Sequence, residues 1–432
     1  MLADRPVHPT SDLLSDWLAW LEELDPAKIE LGLDRIREVY SRLPTLNKST
    51  KVVTIAGTNG KGSCLTALQA AALAAGKTVI AFSSPHILKY NERIQVQGTP
   101  VADQDLVWAF REIAEVQNSI FLTYFEFATL AALCIAEKQR PDILILEVGL
   151  GGRLDSVNLI DADIVVLTAI GMDHMDWLGD DIESIAYEKC GVIRKAKPLV
   201  LAAPDMPSTV SRIAEKLGVE LYNWGREFQL IQSSSSSSSY RLIMGQQDFA
   251  LNQPLLHPNS VGGALMAFHL LAPGDDLATA GQAATTSQMP GRYQKLNIGS
   301  RQVILDVAHN PMALAYLVER LKQEGIDKVE LIFAMMSDKD YSAAVDLLVP
   351  VASNWKLLQL DNSRALPVSV VAEKLRKYEV ENVEMLDVLN NSQCKDIFLS
   401  KSDQCPLLVT GSFYTVSAIL EQPEVKALLA LG

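Results

Sequence analysis

Short unbroken apolar runs alternate with helix-period apolar stripes along most of this chain. Lys51–Ala56, Thr78–Phe82, Asp142–Val148, Asp163–Thr168 and Lys197–Ala202 are dominated by Val, Ile, Leu and Ala. Runs of that length without polar alternation predict strands buried on both faces. Between them Gly62–Ala75, 103–118, 125–138 and Ser208–Leu217 carry helical spacing, and 11–43 reads as two helices broken near Asp25-Pro26. This alternation predicts an α/β fold built on a mostly parallel sheet covered on both sides.

The pattern changes after residue 220. Phe228–Ile231 and Tyr240–Met244 predict two short strands flanking seven consecutive serines, Ser233–Ser239. A run of that kind buries nothing, so it predicts a solvated hairpin loop. Helices follow at Asn259–Leu271 and Asp275–Thr285, and Gln288-Met289-Pro290-Gly291 reads as a turn and hinge. Strands at Gln302–Val307, Lys328–Phe333, Lys356–Leu360, Glu384–Leu386 and Leu407–Val409 then alternate with helices such as Met312–Glu324 and Val368–Lys377. The expected division is 1–296 for a larger first domain and 297–432 for a smaller α/β domain that closes over ligands held by the first.

Composition narrows the class. The chain has 432 residues, 48% apolar, with 38 Lys and Arg against 52 Asp and Glu, a formal charge of −14. The length favours more than one core. The acidic balance argues against a nucleic-acid surface, which needs a concentrated basic footprint. No apolar run has transmembrane length. Met1–His8 shows no signal-peptide pattern. The five cysteines lack metal-ligand spacing and read as reduced thiols. The expectation is a cytoplasmic monomer acting on small molecules, with neither nucleic-acid nor membrane partner.

The chemistry concentrates after the predicted strands. Gly57-Thr58-Asn59-Gly60-Lys61-Gly62-Ser63 follows the first one. Its glycines allow a tight turn that presents N–H groups, Lys61 adds a positive charge, and Ser63 adds a hydroxyl at a helix start. The usual triphosphate loop has a glycine where Ile55 stands, so this is a shortened relative of it. Glu147 ends another strand, just before Gly149-Leu150-Gly151-Gly152-Arg153-Leu154-Asp155, in position to hold Mg²⁺ beside the loop. His174, in Gly171-Met172-Asp173-His174, and Ser84, in Ser83-Ser84-Pro85-His86, also follow strands. Ser84 offers a cation ligand and His86 a contact to a substrate oxygen. Lys189 by itself reads as a surface lysine near a helix end; an ammonium cannot ligate Mg²⁺, but a carbamate made with CO₂ can. In the second domain Asp306 and His309 follow a strand, and Pro311 suits the next helix start. Arg292 lies in the hinge and offers a fork for phosphate or carboxylate oxygens.

These motifs, taken together and in order, resemble the folylpolyglutamate synthase family of the ATP-dependent Mur ligases, from about residue 30 to the C-terminus. The resemblance implies a central ATPase-like domain, a smaller C-terminal Rossmann-like domain, and an active site between them. It implies that Lys61 and the 57–63 loop contact ATP phosphates, with Asn259 near the adenine and Arg292, Asp306 and His309 also facing the nucleotide. Ser84 and Glu147 would hold one Mg²⁺; Glu147, His174 and a carbamylated Lys189 would hold a second. Asp306-Val307-Ala308 and Met289-Pro290 depart mildly from the family pattern.

The Leu31-Gly32-Leu33 core of 28–35 resembles that of the bifunctional bacterial members, which use dihydropteroate as well as reduced folates. Leu31, Gly32, His86, Thr123, Phe125, Arg153 and Asp155 are the expected substrate contacts, Asp155 accepting from a pterin ring and Thr123-Tyr124-Phe125-Glu126 supplying aromatic area. Packing within the core is the rival reading of Tyr124 and Phe125. The expected reaction is ATP-dependent addition of L-glutamate to dihydropteroate and to reduced folates. A monofunctional folylpolyglutamate synthase is the alternative.

Overall fold

The computed structural model describes residues 8–23, 30–233, 239–298, 301–386, 397–398 and 405–430. The helix break near Asp25-Pro26, Lys28-Ile29, Ser234–Ser238 and Cys394 lie outside the described residues. The chain forms two compact units, Met1–Ser287 and Gln288–Gly432.

The first unit begins with α1 (Leu14–Glu23), α2 (Asp34–Tyr40), β1 (Lys51–Ala56), α3 (Lys61–Ala74) and β2 (Val79–Phe82). A short ribbon, β3 (Ile94–Val96) and β4 (Thr99–Pro100), precedes α4 (Asp103–Gln117), α5 (Tyr124–Gln139), β5 (Ile143–Glu147) and β6 (Ile164–Leu167). Then come α6 (Met175–Leu178), α7 (Ile182–Cys190), β7 (Leu199–Leu201), α8 (Ser208–Leu217) and β8 (Leu221–Asn223). These strands make an eight-stranded sheet in the order β4-β3-β2-β5-β1-β6-β7-β8. From β2 to β8 it is parallel, and β3 and β4 add an antiparallel edge.

The near-continuous apolar runs are explained by double-sided burial. Val52, Ala56, Ile80, Phe82, Leu144, Leu146, Val165 and Leu167 share one core with α1, α2, α4, α5, α7 and α8. The alternate residues Val53, Ile55, Val79, Ala81, Ile143 and Ile145 are equally buried. On their side α9 (Pro258–Leu271) and α10 (Leu277–Thr286) pack against α3.

Between β8 and α9 lies a separate antiparallel sheet of β9 (Phe228–Gln232), β10 (Ser239–Met244) and β11 (Gln247–Asn252). The expected hairpin is therefore two strands of three. The apolar positions of β11 are too few to announce a strand, and it is held by its full antiparallel register with β10.

The second unit is a six-stranded sheet ordered β12-β13-β17-β14-β15-β16. Its elements are β12 (Gln294–Ile298), β13 (Arg301–Leu305), α11 (Pro311–Gln323), β14 (Val329–Phe333), α12 (Tyr341–Leu348), β15 (Ala352–Leu358), α13 (Val368–Lys377), β16 (Val383–Leu386), β17 (Leu407–Thr410), α14 (Phe413–Leu420) and α15 (Pro423–Ala430). Only β12 is antiparallel. The expected division at 296/297 falls inside β12, whereas the compact units part between Ser287 and Gln288. Among the described residues no helix is long and apolar enough to cross a membrane. Cys64, Cys134, Cys190 and Cys405 are free thiols.

Candidate active site

Four neighbouring strands, β2, β5, β1 and β6, end on the same edge of the first sheet. Ligands of open α/β sheets bind outside such carboxyl ends. Here those ends carry Ser84, Glu147, the 57–63 loop, and the Asp173-His174 segment, respectively.

The loop between β1 and α3 is fixed by close approach. Gly57 has φ +146°, and a Cβ there would stand 1.9 Å from Thr168 Oγ1. Gly60 has φ +92°, caps α3, and sits against Ser260 at the start of α9, where a Cβ would be 2.5 Å from Ser260 Oγ. No side chain fits either position. Thr58 N donates to Ala169 O at 2.7 Å, and the Thr58 hydroxyl bridges Gly171 O and Gly171 N, both at 3.0 Å. The loop is thus stitched to the segment that follows β6, while the first turn of the 14-residue α3 leaves its amides for an anion.

Two lysines meet at this loop. Lys61 Nζ donates to Gly57 O at 3.1 Å and to Thr58 O at 3.2 Å. Lys189 Nζ reaches the same Gly57 O at 3.0 Å from the end of α7. The bland reading of Lys189 as a surface lysine is overturned: it is 4% exposed. Burial, reinforced by the Lys61 charge, lowers its pKa from 10.5 to about 7. The sequence around it conceals this, because Tyr187 beside it is exposed. The packing that buries it is glycine-dependent: a Cβ on Gly152 would meet Glu188 O and Lys189 O at 2.9 Å.

Glu147 is buried at 3% exposure, and Ser84 N approaches its Oε2 at 3.4 Å. The Glu147 carboxylate and the Ser84 hydroxyl are hard oxygen donors of the kind Mg²⁺ takes, which commonly binds one or two carboxylates and completes its shell with water and phosphate oxygens. His174 is exposed, in a left-handed conformation of φ +53°, with its N–H held by Asp173 Oδ1 at 2.9 Å. Among the described residues no three His, Cys, Asp or Glu side chains converge as a metal cage. A donor set of Glu147, His174, a serine hydroxyl and a modified lysine contains only two such side chains.

A second group of candidates surrounds Asp155. Leu150 N donates to its Oδ2 at 2.8 Å and Val157 N to its Oδ1 at 3.0 Å. Burial nevertheless dominates and raises its pKa to about 6, against those N–H bonds and the Lys61 charge. Gly32 N donates to Leu154 O at 3.3 Å, which brings the Leu31-Gly32 segment to Asp155. Thr123 caps α5 in a reciprocal box with Glu126. The Phe125 ring lies over Gly149, where a Cβ would be 2.6 Å from its Cζ, and packs 5.7 Å from Phe82. Phe125 is therefore both packed and half-exposed at the site edge. Arg153 faces away to Glu188, 2.9 and 3.1 Å from Oε1.

His86 introduces a residue that the sequence reading missed. Arg93 Nε donates to His86 Nδ1 at 2.8 Å, and burial plus that charge lower the His86 pKa to about 4. The imidazole is neutral, and its proton is on Nε2. Arg93 is 8% exposed, with its guanidinium over the Tyr90 ring at 5.5 Å and the Tyr124 ring at 5.2 Å. Among the described residues it has no carboxylate partner. A buried guanidinium beside an N–H donor is suited to an anion. Its only sequence signal is a lone cation two residues before Gln95-Val96, which is too weak to single out.

In the second unit, Asp306 follows β13 and accepts from Tyr293 N and Ala308 N, both at 2.8 Å. Burial raises its pKa, with the Arg292 charge opposing. The Arg292 guanidinium stands 5.3 Å over the Phe413 ring, and His309 packs against the same ring at 6.0 Å. Arg292, Asp306 and His309 are thus brought together. Asn259 belongs to the first unit, in the first turn of α9, its N–H capped by His257 Nδ1 at 3.1 Å.

A glycine-built loop at the carboxyl edge of a parallel sheet, followed in the chain by a smaller α/β unit, is an arrangement that the Mur ligases share. The Mur ligase middle domain profile matches residues 55–270, and that of the Mur ligase glutamate ligase domain matches 291–402. The chain belongs to the dihydrofolate synthase/folylpolyglutamate synthase family of that superfamily. It is 36% identical over 426 residues to the Escherichia coli enzyme of that description, covering 98% of each chain. It is 33% identical to the Haemophilus influenzae one, over 94% of this chain and 96% of that one. A crystal structure of a bifunctional folylpolyglutamate synthase/dihydrofolate synthase with Mn, AMPPNP and L-glutamate bound superposes at TM-score 0.86 and 36% identity, over 96% of this chain and 99% of that one. An Escherichia coli structure in complex with DHPP and ADP gives TM-score 0.88 at 34% identity, over 97% and 99%.

Proposed function

We propose that this chain is an ATP-dependent carbon–nitrogen ligase that joins L-glutamate to dihydropteroate, forming dihydrofolate, and adds further glutamate to the γ-carboxyl of reduced folates. The observation that carries the reading is the meeting of Lys61 and Lys189 on Gly57 O, beside Glu147 and Ser84.

The γ-phosphoryl of ATP passes to the substrate carboxylate, giving an acyl phosphate and ADP. Two anions must approach, so their repulsion has to be cancelled. Lys61 and the 57–63 amides supply charge and N–H donors to the phosphates. Ser84 and Glu147 would hold one Mg²⁺, and Glu147, His174 and a carbamylated Lys189 a second; when bound, these ions neutralise charge on the phosphoryl oxygens. Carbamylation joins a neutral lysine amine to CO₂ and releases a proton, and the lowered Lys189 pKa supplies that neutral amine. The amine of glutamate then attacks the acyl carbon, phosphate leaves, and an amide remains. Exclusion of water protects the intermediate.

Leu31, Gly32, Thr123, Phe125 and Asp155 are assigned to the pterin, and His86 and Arg93 to an anionic group of the substrate. Arg153, whose fork is committed to Glu188, is assigned a supporting role at the same pocket. Asn259 is assigned to the adenine, and Arg292, Asp306 and His309 also to the nucleotide.

Hydroxylamine in place of glutamate tests the chemistry. The reading expects a pteroyl hydroxamate formed with stoichiometric ADP. ADP formation without hydroxamate would contradict an acyl phosphate.

A further inference from the structure

Arg35 ties two candidate substrate segments together, and nothing in the reaction chemistry requires it. Its NH1 donates to Glu30 Oε2 at 2.6 Å and its NH2 to Glu30 O at 2.9 Å. The same NH2 reaches across to Glu126 Oε1 at 3.2 Å. Glu126 is 3% exposed, and its other oxygen, Oε2, accepts Thr123 N at 2.8 Å. Both oxygens of one buried carboxylate are therefore committed, one to the α5 cap and one to Arg35. Gly32 N in turn holds Leu154 O, next to Asp155. Arg35 Nε is buried with no partner among the described residues, so the guanidinium has accepted an unpaired donor in order to span Glu30 and Glu126.

The segment it holds is anchored at one end, where Leu33 is buried in the core. Residues 30–33 precede α2 in an irregular stretch, and Gly32 has φ +149° with nothing within 4 Å of a Cβ there. Nothing stands where a Gly32 side chain would, so the backbone just before the core residue Leu33 leans on its polar ties. Irregular segments of this kind open easily unless such ties hold them.

We propose that Arg35 and Glu126 form a positioning pair that holds the Leu31-Gly32 segment against Thr123 and Asp155, and so sets affinity for the pterin substrate. Neither side chain is a catalytic residue. The inference rests on the assignment of that pocket to the pterin made above. It predicts an effect confined to the KM of the pterin substrate, because the phosphate loop and Glu147 are held by separate contacts.

The chemistry of the pair offers a clean variant. Glutamine serves a capping box as well as glutamate does, since its carbonyl oxygen still accepts the Thr123 N–H. Glu126→Gln therefore keeps the helix start and replaces the charged acceptor that Arg35 meets with an amide NH2, which cannot accept from it. Arg35→Met removes the partner, and Arg35→Lys keeps the charge but cannot fork to both Glu30 and Glu126.

The test is steady-state kinetics of the full chain with dihydropteroate, ATP, Mg²⁺ and L-glutamate, alongside thermal melting. Arg35→Met and Glu126→Gln should each raise KM for dihydropteroate about three- to tenfold, the size of one partly exposed charge-assisted contact. KM for ATP and kcat should stay within about twofold, the double variant should be no worse than either single one, and Arg35→Lys should recover part of the loss. A KM for dihydropteroate unchanged in both single variants, or a rise matched in KM for ATP, would overturn the proposal. If the wild-type chain does not consume dihydropteroate, the functional reading fails at that substrate. The same comparison with a reduced folate then decides the positioning pair.

Discussion

Lys61 and Lys189 donate to one carbonyl oxygen, that of Gly57, at 3.1 and 3.0 Å. The two side chains thus share one neutral acceptor, with the Asp155 and Asp173 carboxylates acting on Lys189 and Asp155 feeling the Lys61 charge. Lys61 stands in the first turn of α3, with the loop amides, and Lys189 is delivered from α7, 128 positions later in the chain as numbered. The repulsion between them is one of the two causes that depress Lys189, the larger being burial. Phosphate on one lysine and carbamate on the other would each relieve it.

Replacing Lys61 with alanine should lower turnover by at least about 100-fold at saturating ATP, the scale of a lost transition-state electrostatic donor. Steady-state phosphate release measures this. A loss under about tenfold would remove Lys61 from the phosphoryl-transfer step.

Lys189 sets stability against activity. Its folded pKa of about 7 lies below the ordinary 10.5, so between those values the unfolded chain binds more protons and stability rises with pH. Below about 7 the penalty of keeping a buried ammonium is present in full. Lys189→Met should therefore raise the melting temperature at neutral pH and flatten its rise toward alkaline pH, while abolishing ligase turnover. Melting curves from pH 6 to 10 and a rate assay read both. A less stable Lys189→Met chain with normal turnover would contradict the assignment.

Gly57→Ala places a methyl group 1.9 Å from Thr168 Oγ1 at φ +146°. The backbone strain alone is about 1–3 kcal/mol. The variant should lose ATP binding and melt several degrees lower, and Thr168→Ala in the same chain should remove the Oγ1 clash but neither the strain nor the tight contact with the Thr168 backbone. Calorimetric ATP titration beside melting separates the two contributions.

Asp155 has a folded pKa of about 6 against an ordinary 3.8. The sign is opposite to that of a salt-bridged carboxylate. The folded chain holds the extra proton between those values, so this group's stabilising contribution is full below 3.8 and is lost as pH rises through about 6. If the anion accepts from a pterin N–H, KM for dihydropteroate falls as pH rises through the same range. Asp155→Asn should flatten both profiles. A wild-type KM independent of pH from 5 to 7.5 would show that Asp155 makes no pterin contact.

The sequence marked the candidate site wherever a glycine or an apolar run signals a strand end. Lys51–Ala56 announced β1 to the residue, and Gly57, Gly60, Glu147 and Asp155 fall where strand ends place them. What it concealed depends on long-range packing. Lys189 follows the exposed Tyr187 and the charged Glu188, and its burial depends on the close approach of Gly152 from far away in sequence. Arg93 is one charge in Asn91-Glu92-Arg93; its burial between Tyr90 and Tyr124 comes from α5, far away in sequence. The short β3, β4 and β8 carry too few residues for a period to register. The hinge tyrosine was equally silent: Tyr293 takes φ +45° while its hydroxyl bonds Glu324 at 3.0 Å and Arg320 stacks 3.9 Å over its ring.

The bifunctional reading is tested most directly by mass-resolved products from two parallel reactions with ATP, Mg²⁺ and L-glutamate, one containing dihydropteroate and one a reduced folate. The account predicts dihydrofolate in the first and folate extended by glutamate in the second, with each product absent when ATP is omitted. Extension of the folate with dihydropteroate left untouched would contradict the bifunctional claim and leave a monofunctional folylpolyglutamate synthase; no amide product in either reaction would contradict the ligase itself.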